Sequence, residues 1–360
     1  MKKYAQANML LFITAALFLA VSIGLSVLIG VFGVAIPAPV SLLAGQVIII
    51  VPSIIYMAVK KIPFKQAVRM KKTNPVNFIM ALLVILFSYP VVVVLNIFSM
   101  FFVDNAVANT MTGMMSAMNI FFVFFAVAVM PAFGEEILFR GVMYNTYSQF
   151  RPAMGLVISA AAFGMMHGNF NQMPYAAFLG VVFVLMLEAS DSIWVTMFMH
   201  FLLNGSNVLM MYLTPGDLLE QSSQISIRDM FGTFYAMGGM PMIGIIAMVY
   251  LCIGLAFAGI VFLLIWLTFK INHRSLKECF KKKTYADTAQ NILPQMINLS
   301  QNENMSQVMC SPQNINVAQT TICGENNKNF APARKEKMLD WWLFGFLLIT
   351  IAEIVIDMIL

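Results

Sequence analysis

Charge is scarce in this sequence. Only 10% of its 360 residues are Asp, Glu, Lys or Arg while 60% are apolar, whereas a soluble domain carries roughly a quarter charged residues. With a mean hydropathy of +0.83, this balance excludes a soluble globular domain and implies an integral membrane protein. Cysteine is sparse too: Cys252, Cys279, Cys310 and Cys323 form no C-x-x-C pair, so neither a disulfide framework nor a thiolate metal site is indicated. G-x-S-x-G, H-E-x-x-H and the phosphate-binding loop are all missing, which removes the usual serine-hydrolase, zincin and nucleotide readings. The net charge of +5 does not make a nucleic-acid binder, because the basic residues gather beside apolar segments, as determinants of membrane topology do.

What the chain has in quantity is long apolar runs. A bilayer span needs about 20 apolar residues, and segments near that length occur at 9–33, 41–59, 76–102, 119–147, 152–168, 174–190, 192–213, 237–268 and 341–360. They predict an all-α polytopic helical bundle with about 8–9 transmembrane helices. The run after Lys2 and Lys3 exceeds the roughly 7–15 residue core of a cleavable signal and reads as a retained first span. By content, the chain divides into N-terminal helices (1–118), a core of helices carrying the charged motifs (119–213), a loop and helix (214–268), a polar cytoplasmic tail (269–338) and a last helix (339–360). The tail opens with Lys270, Arg274, Lys277, Lys281, Lys282 and Lys283 and continues rich in Asn, Gln, Ser and Thr. That is the composition of a flexible segment, with a basic opening suited to anionic lipid headgroups.

An ionisable group near the centre of a span costs about 2.5–3.5 kcal/mol on insertion scales and is a functional hypothesis by default. The fourth span concentrates three of them: Glu135, Glu136 and Arg140. Glu136 and Arg140 are spaced i, i+4 and share a helix face, whereas Glu135 lies about 100° away and lacks a partner on its own helix. Just upstream, Pro131 has no N–H for the carbonyl of residue 127, and Gly134 loosens the same turn. Two of the three histidines, His167 and His200, fall inside or at the edge of spans, and Asn204 follows His200 at i+4. At about 1.5 Å per residue, Glu135 lies about 22 Å and His167 about 26 Å from a turn near residue 150, but His200 only about 14 Å from the turn at 191. Convergence therefore requires tilt, a kink at Pro131 or unequal helix ends. In the last span, Glu353 and Asp357 repel at i, i+4, which points to packing or a surface place for Asp357 and to a partner or a proton for Glu353.

A buried carboxylate, two imidazoles and an amide suit hydrolysis without a covalent nucleophile. The carboxylate removes a proton from water, an imidazole orients it, and a His/Asn pair stabilises the developing oxyanion. The same groups, Glu135, His167 and His200, could instead hold Zn²⁺ with water in the open position. Spacing alone leaves both open, so no cofactor is certain and zinc is possible.

E-E-x-x-x-R at Glu135, Glu136 and Arg140, F-x-x-x-H at Phe163 to His167 and H-x-x-x-N at His200 to Asn204 occur in that order about 30 residues apart. In this the chain resembles the CPBP family of intramembrane proteases, which includes the CAAX prenyl proteases and the bacterial Abi or bacteriocin-processing proteins. The resemblance implies that Glu135 activates water with help from His167, that His200 and Asn204 form the oxyanion hole, and that Glu136 and Arg140 support them. It also implies an intramembrane peptidase, glutamate-type or metal-dependent, acting on a peptide or lipidated substrate, and placed in a bacterial cell membrane. The competing readings are a non-catalytic immunity or scaffolding protein with the same pocket, and a proton-coupled transporter.

Orientation yields a first test. With the N-terminus cytoplasmic, 19 of the 21 Lys and Arg fall inside, leaving Arg228 outside and Arg140 within a span, as the positive-inside rule requires. Reporter tags after Lys72 and near Ser300 are expected in the cytoplasm and one near Asp217 outside. Export of the tag near Ser300 would overturn the nine-span topology.

Overall fold

The computed structural model describes residues 3–34, 36–103, 118–149, 151–215, 227–282 and 339–359. The expected tail beyond Lys282 and the loop around Asp217 lie outside these residues. The described chain is all-α; besides two single turns at Phe64–Ala67 and Leu276–Cys279, its helices are α1 (Lys3–Gly30), α2 (Ala38–Val59), α3 (Val76–Ser99), α4 (Ile120–Ser148), α5 (Pro152–Met165), α6 (Met173–Ser190), α7 (Ile193–Leu213), α8 (Ile227–Ile271) and α9 (Trp341–Ile359). Eight of them are long and apolar enough to cross a membrane, and the exception is α5 with 14 residues. The molecule is thus an integral membrane helical bundle.

Local chemistry sets the ends and breaks. The Asn119 side chain accepts from the Phe121 N–H at 2.8 Å and starts α4, satisfying one of the donors a helix start leaves open. Pro152 opens α5, where its missing N–H costs nothing. Gly239, at φ 64°, breaks α8 two residues before Pro241, a conformation open to glycine at little cost. Where helices meet closely, glycine removes the side chain: a Cβ on Gly180 would lie 2.8 Å from Ala160 Cα, so α5 and α6 touch backbone to backbone.

Contacts between connections sort the helix ends onto two faces. On one, Asn8 donates to Asp340 Oδ1 at 2.9 Å, Asn145 donates to the Ala67 carbonyl at 2.5 Å, and Asn77 and Asn272 exchange hydrogen bonds at 3.0 and 2.7 Å. On the other, Ser99 donates to the Asn171 carbonyl at 3.1 Å, and the Phe170 N–H donates to Asp357 Oδ2 at 3.2 Å. Short as it is, α5 therefore connects the two faces. Asp357 is spent on holding the 166–172 loop.

The first face is fastened by an ionic cluster. Glu188, at the end of α6, receives Arg69 at 2.6 Å and Arg274 at 3.3 Å. Asp191, in left-handed conformation at φ 53°, receives Lys71 at 2.5 Å and Arg274 at 3.4 Å. The cluster joins the α2–α3 connection to the ends of α6 and α8. Burial decides which of its bonds matter, since Glu188 is 6% exposed but Lys71 61%. Glu188→Gln is expected to cost roughly 3 kcal/mol, near the lower end for breaking a buried pair because Asp191 stays within reach. Lys71→Ala should cost less than about 1 kcal/mol, as exposed pairs do. Thermal unfolding in detergent tests the contrast, and equal effects of the two variants would contradict it.

Candidate active site

Pro131 shapes the helix that carries the carboxylates. It leaves the Val127 carbonyl without its normal i+4 donor, and Phe125–Val129 forms a π-helical turn. The Asn204 amide of α7 donates to that carbonyl at 2.9 Å. A second π-helical stretch covers Ile137–Tyr144. Such insertions are rare and often found at functional sites. Between them, one α-helical segment, Met130–Glu136, presents the two glutamates. Gly134 lets α2 close over this turn, since a Cβ there would come 2.5 Å from Ile50 Cγ1.

Glu136 and Arg140 pair as their spacing predicts, Nη1 to Oε1 at 3.1 Å, with both side chains 0% exposed. The guanidinium lies 4.2 Å from the centre of the Phe163 ring and 4.9 Å from that of Phe183. Its nitrogens have no hydrogen-bond partner among the described residues, so carboxylate proximity and two ring faces stabilise the charge.

His200 enters this cluster from α7. Its Nδ1 is 3.0 Å from Glu136 Oε1 and its Nε2 3.9 Å from Glu135 Oε2. The imidazole thus bridges the two neighbouring carboxylates, one fully buried and the other 13% exposed. The depth mismatch expected for His200 closes, and the π-helical stretch Ile137–Tyr144, which lies between Glu135 and the first face, contributes to it. Its wider turns take up more residues per unit length, so Glu135 lies nearer the first face than an ideal helix would place it.

His167 is placed differently. It stands just beyond the end of α5, with Nδ1 2.8 Å from the Phe163 carbonyl. A carbonyl only accepts, so Nδ1 carries a proton, and in the tautomer this selects Nε2 is the acceptor. Phe163 stands edge-on between the two imidazoles, its centre 5.3 Å from His167 and 5.9 Å from His200. The structure therefore joins Glu135, Glu136, Arg140 and His200 directly, joins Asn204 through the α4 backbone, and brings His167 alongside through Phe163. Among the described residues His167 forms no ion pair with a carboxylate. Nor do any three His, Cys, Asp or Glu gather to hold a metal ion, so the side chains as placed do not fit a zinc site.

Two buried residues, Phe183 beside Arg140 and Glu188 in the first-face cluster, were not singled out from the sequence. Phe183 is one phenylalanine in an apolar helix, indistinguishable from packing. Glu188, however, is an ionisable residue inside a span, and the rule that singled out Glu135 applies equally to it.

Residues 117–206 match the family model Rce1-like, described as Type II CAAX prenyl endopeptidase Rce1-like. The match runs through α4, α5, α6 and most of α7. No curated protein and no solved structure matches the chain.

The Asn204 contact generates a test that separates support from chemistry. Asn204→Ala strands the Val127 carbonyl, and a stranded buried acceptor costs about 1–3 kcal/mol, so the unfolding temperature in detergent should fall. Arg140→Ala leaves a fully buried carboxylate unpaired, and at about 3–5 kcal/mol should reduce folded yield further. An Asn204→Ala protein as stable as wild type would show that this hydrogen bond supports nothing.

Proposed function

We propose that the chain, whose residues 117–206 carry an Rce1-like domain, is an intramembrane endopeptidase that hydrolyses a peptide or lipidated peptide substrate with activated water. Residues 119–213 would form its catalytic core. The observation that carries this reading is His200 lying between two adjacent glutamates of unlike surroundings, with Nε2 3.9 Å from the partly exposed Glu135. Groups at that separation are suited to sharing one water molecule. Glu135 would take the proton from that water as it attacks the scissile carbonyl. Glu136, already committed to Arg140 and to His200 Nδ1, holds the imidazole in place rather than acting as the base.

The hydrogen bond to Glu136 also bears on the oxyanion. With Nδ1–H donated to Glu136, Nε2 can donate only when the ring carries both protons. Glu135 and Glu136 outnumber Arg140 by one charge, and an imidazolium at His200 would balance the set. In that state Nε2–H faces the developing oxyanion. Asn204 would add its second amide N–H, the first being given to Val127. His167, its proton held on Nδ1 by the Phe163 carbonyl, offers Nε2 to orient water.

The engagement of Asn204 with the backbone is the observation that favours a catalytically silent scaffold. Against it stands the cost of a second carboxylate beside the Glu136–Arg140 pair, which a scaffold has no need to bear.

Glu135→Gln keeps the side-chain shape and removes the base. Cleavage should fall by about 10²–10⁴ while unfolding temperature stays near wild type, and His167→Ala should behave alike. Comparing membrane proteomes of cells carrying wild-type or Glu135→Gln protein identifies the substrate as an accumulating precursor. Full turnover of a verified substrate by Glu135→Gln would sink the proposal in favour of the scaffold.

A further inference from the structure

We propose that α9, which lies outside the matched residues 117–206, is a working part of the site: its carboxylates Glu353 and Asp357 fix the turn that carries His167, and Asp357 is a positioning residue of the proposed peptidase. This role rests on the reading of His167 as the group that orients water, and it adds what holds that group in place.

His167 stands where α5 ends. The N–H groups of Met166, His167 and Gly168 bond back to the carbonyls of Ala162, Gly164 and Met165 at 3.0, 3.3 and 3.1 Å. Gly168, at φ 69°, then turns the chain away, as glycine does at many helix ends. The Gln172 N–H donates to Asn169 Oδ1 at 2.8 Å and leads into α6. Between these two ends the Phe170 N–H finds its acceptor outside the loop, in Asp357 Oδ2 at 3.2 Å. Depth makes that bond matter. The 14 residues of α5 span about 21 Å, less than the roughly 30 Å hydrocarbon core, and an unpaired N–H at such a level is costly.

The helix that supplies the acceptor has two unlike halves. In the first, α9 packs on α1: a Cβ on Gly345 would come 2.8 Å from Phe12 Cε2, and the Trp342 and Phe12 rings lie 5.4 Å apart. In the second, Glu353 Oε2 lies 3.7 Å from a Cβ placed on Gly168, and Asp357 follows one turn later. Both are partly buried and continue the inward stripe of Leu343, Phe346 and Thr350. Like charges at i, i+4 repel, and an ionisable group inside a span is costly. A helix that served packing alone would gain nothing from either. Glu353 has no hydrogen bond or ion pair among the described residues, so its charge is answered by the turn it touches. A turn in which a left-handed residue interrupts right-handed ones gathers its N–H groups into a concavity that favours anions, and the turn at Gly168 is the one both carboxylates meet.

His167 is therefore held from two sides. Its ring is tied to α5 through Nδ1 and the Phe163 carbonyl at 2.8 Å, and the backbone just after it is tied to α9. The Phe163 ring also contacts His200 and Arg140, so a shift of the turn changes the distance from His167 to the rest of the site. A misplacement of about 1 Å can cost about 10² in rate.

Three variants test this in the full-length protein. Asp357→Ala removes the acceptor, Asp357→Asn keeps one, and Glu353→Gln keeps the shape but not the charge. Hydrogen exchange resolved by mass spectrometry, and carbethoxylation of His167 by diethylpyrocarbonate, read the turn in detergent without any substrate. Asp357→Ala should raise both exchange within 166–172 and the modification rate of His167 by about tenfold, as loss of a hydrogen bond to a charged group does, with α6 and His200 unchanged. Asp357→Asn should return both near wild type, and Glu353→Gln should raise both several-fold. On a verified substrate, Asp357→Ala should lower kcat by about 10–10² with KM unchanged, and Asp357→Asn should recover it. Wild-type exchange and His167 reactivity in Asp357→Ala would overturn the proposal. So would a rise spread evenly over α1 and α9, which marks packing alone, or full turnover with a loosened turn. Should Asp357→Ala fail to fold, Glu353→Gln decides, because wild-type values of both readouts in that variant would equally overturn it. Absence of cleavage by the wild-type protein would instead sink the peptidase reading, while exchange and carbethoxylation would still decide whether α9 holds His167.

Discussion

The guanidinium of Arg140 is a permanent charge held out of water in the middle of a helical bundle, and the arrangement of the site follows from stabilising it. Arginine does not escape burial by losing its proton. One carboxylate, Glu136, comes from its own helix and two ring faces come from α5 and α6, through Phe163 and Phe183. The carboxylate then recruits His200 from α7. Four helices consequently converge on one charge, and two of them, α4 and α7, bring ionisable groups to the same place. Glu136 and Arg140 thus each touch a ring of another helix, the carboxylate that of His200 and the guanidinium that of Phe163.

A second constraint is the backbone break at Pro131. In hydrocarbon an unpaired carbonyl costs several kcal/mol, and the Val127 carbonyl finds its donor in a side chain of a different helix, Asn204. The proline thereby ties α4 to α7 one turn from the glutamates. Because His200 and Asn204 share one face of α7, the bond that satisfies the proline break also sets the height of His200 against Glu135 and Glu136. Local irregularity and site geometry are here one device.

Much of this was legible in the chain. The apolar runs predicted nine helical segments, and nine long or intermediate helices lie among the described residues; most bounds agree within a few residues, but α1 begins at Lys3 rather than 9 and α8 at Ile227 rather than 237. The Glu136–Arg140 pair followed from i, i+4 spacing, and the strain at Pro131 from its missing N–H. What sequence could not convey was the partner of each strained group. Nothing in the spacing says that Asn204 turns to Val127, because that depends on how α7 crosses α4. Depth failed for a definable reason: a fixed rise per residue was assumed along a helix that is π-helical over Ile137–Tyr144, between Glu135 and the reference turn. The short α5 was read at 152–168 as a span, whereas the helix ends at Met165 and the remaining residues begin the loop that carries His167. Asp357 was placed at an interface by repulsion from Glu353. Its actual role, accepting the Phe170 N–H, depends on a loop 187 residues away in sequence.

The two charged clusters of the protein show why only one of them is a candidate for chemistry. At the first face, Glu188 and Asp191 meet Arg69, Arg274 and Lys71, so every carboxylate is matched by at least one cation and the cluster as a whole is electrostatically satisfied. Such a set gains nothing from a reacting molecule and serves to fasten helix ends. In the deeper cluster Arg140 matches Glu136, and Glu135 is left with an imidazole nitrogen at 3.9 Å, too far for a direct hydrogen bond. A carboxylate in that position makes no direct hydrogen bond to the imidazole, and the interaction it lacks is one that a water molecule, and then a scissile carbonyl beside it, would supply. Burial alone does not mark the site, since Glu188 is 6% exposed and Glu135 13%. The difference lies in the unspent bonding capacity of Glu135, on a helix whose shape is dictated by a neighbouring proline and a buried arginine.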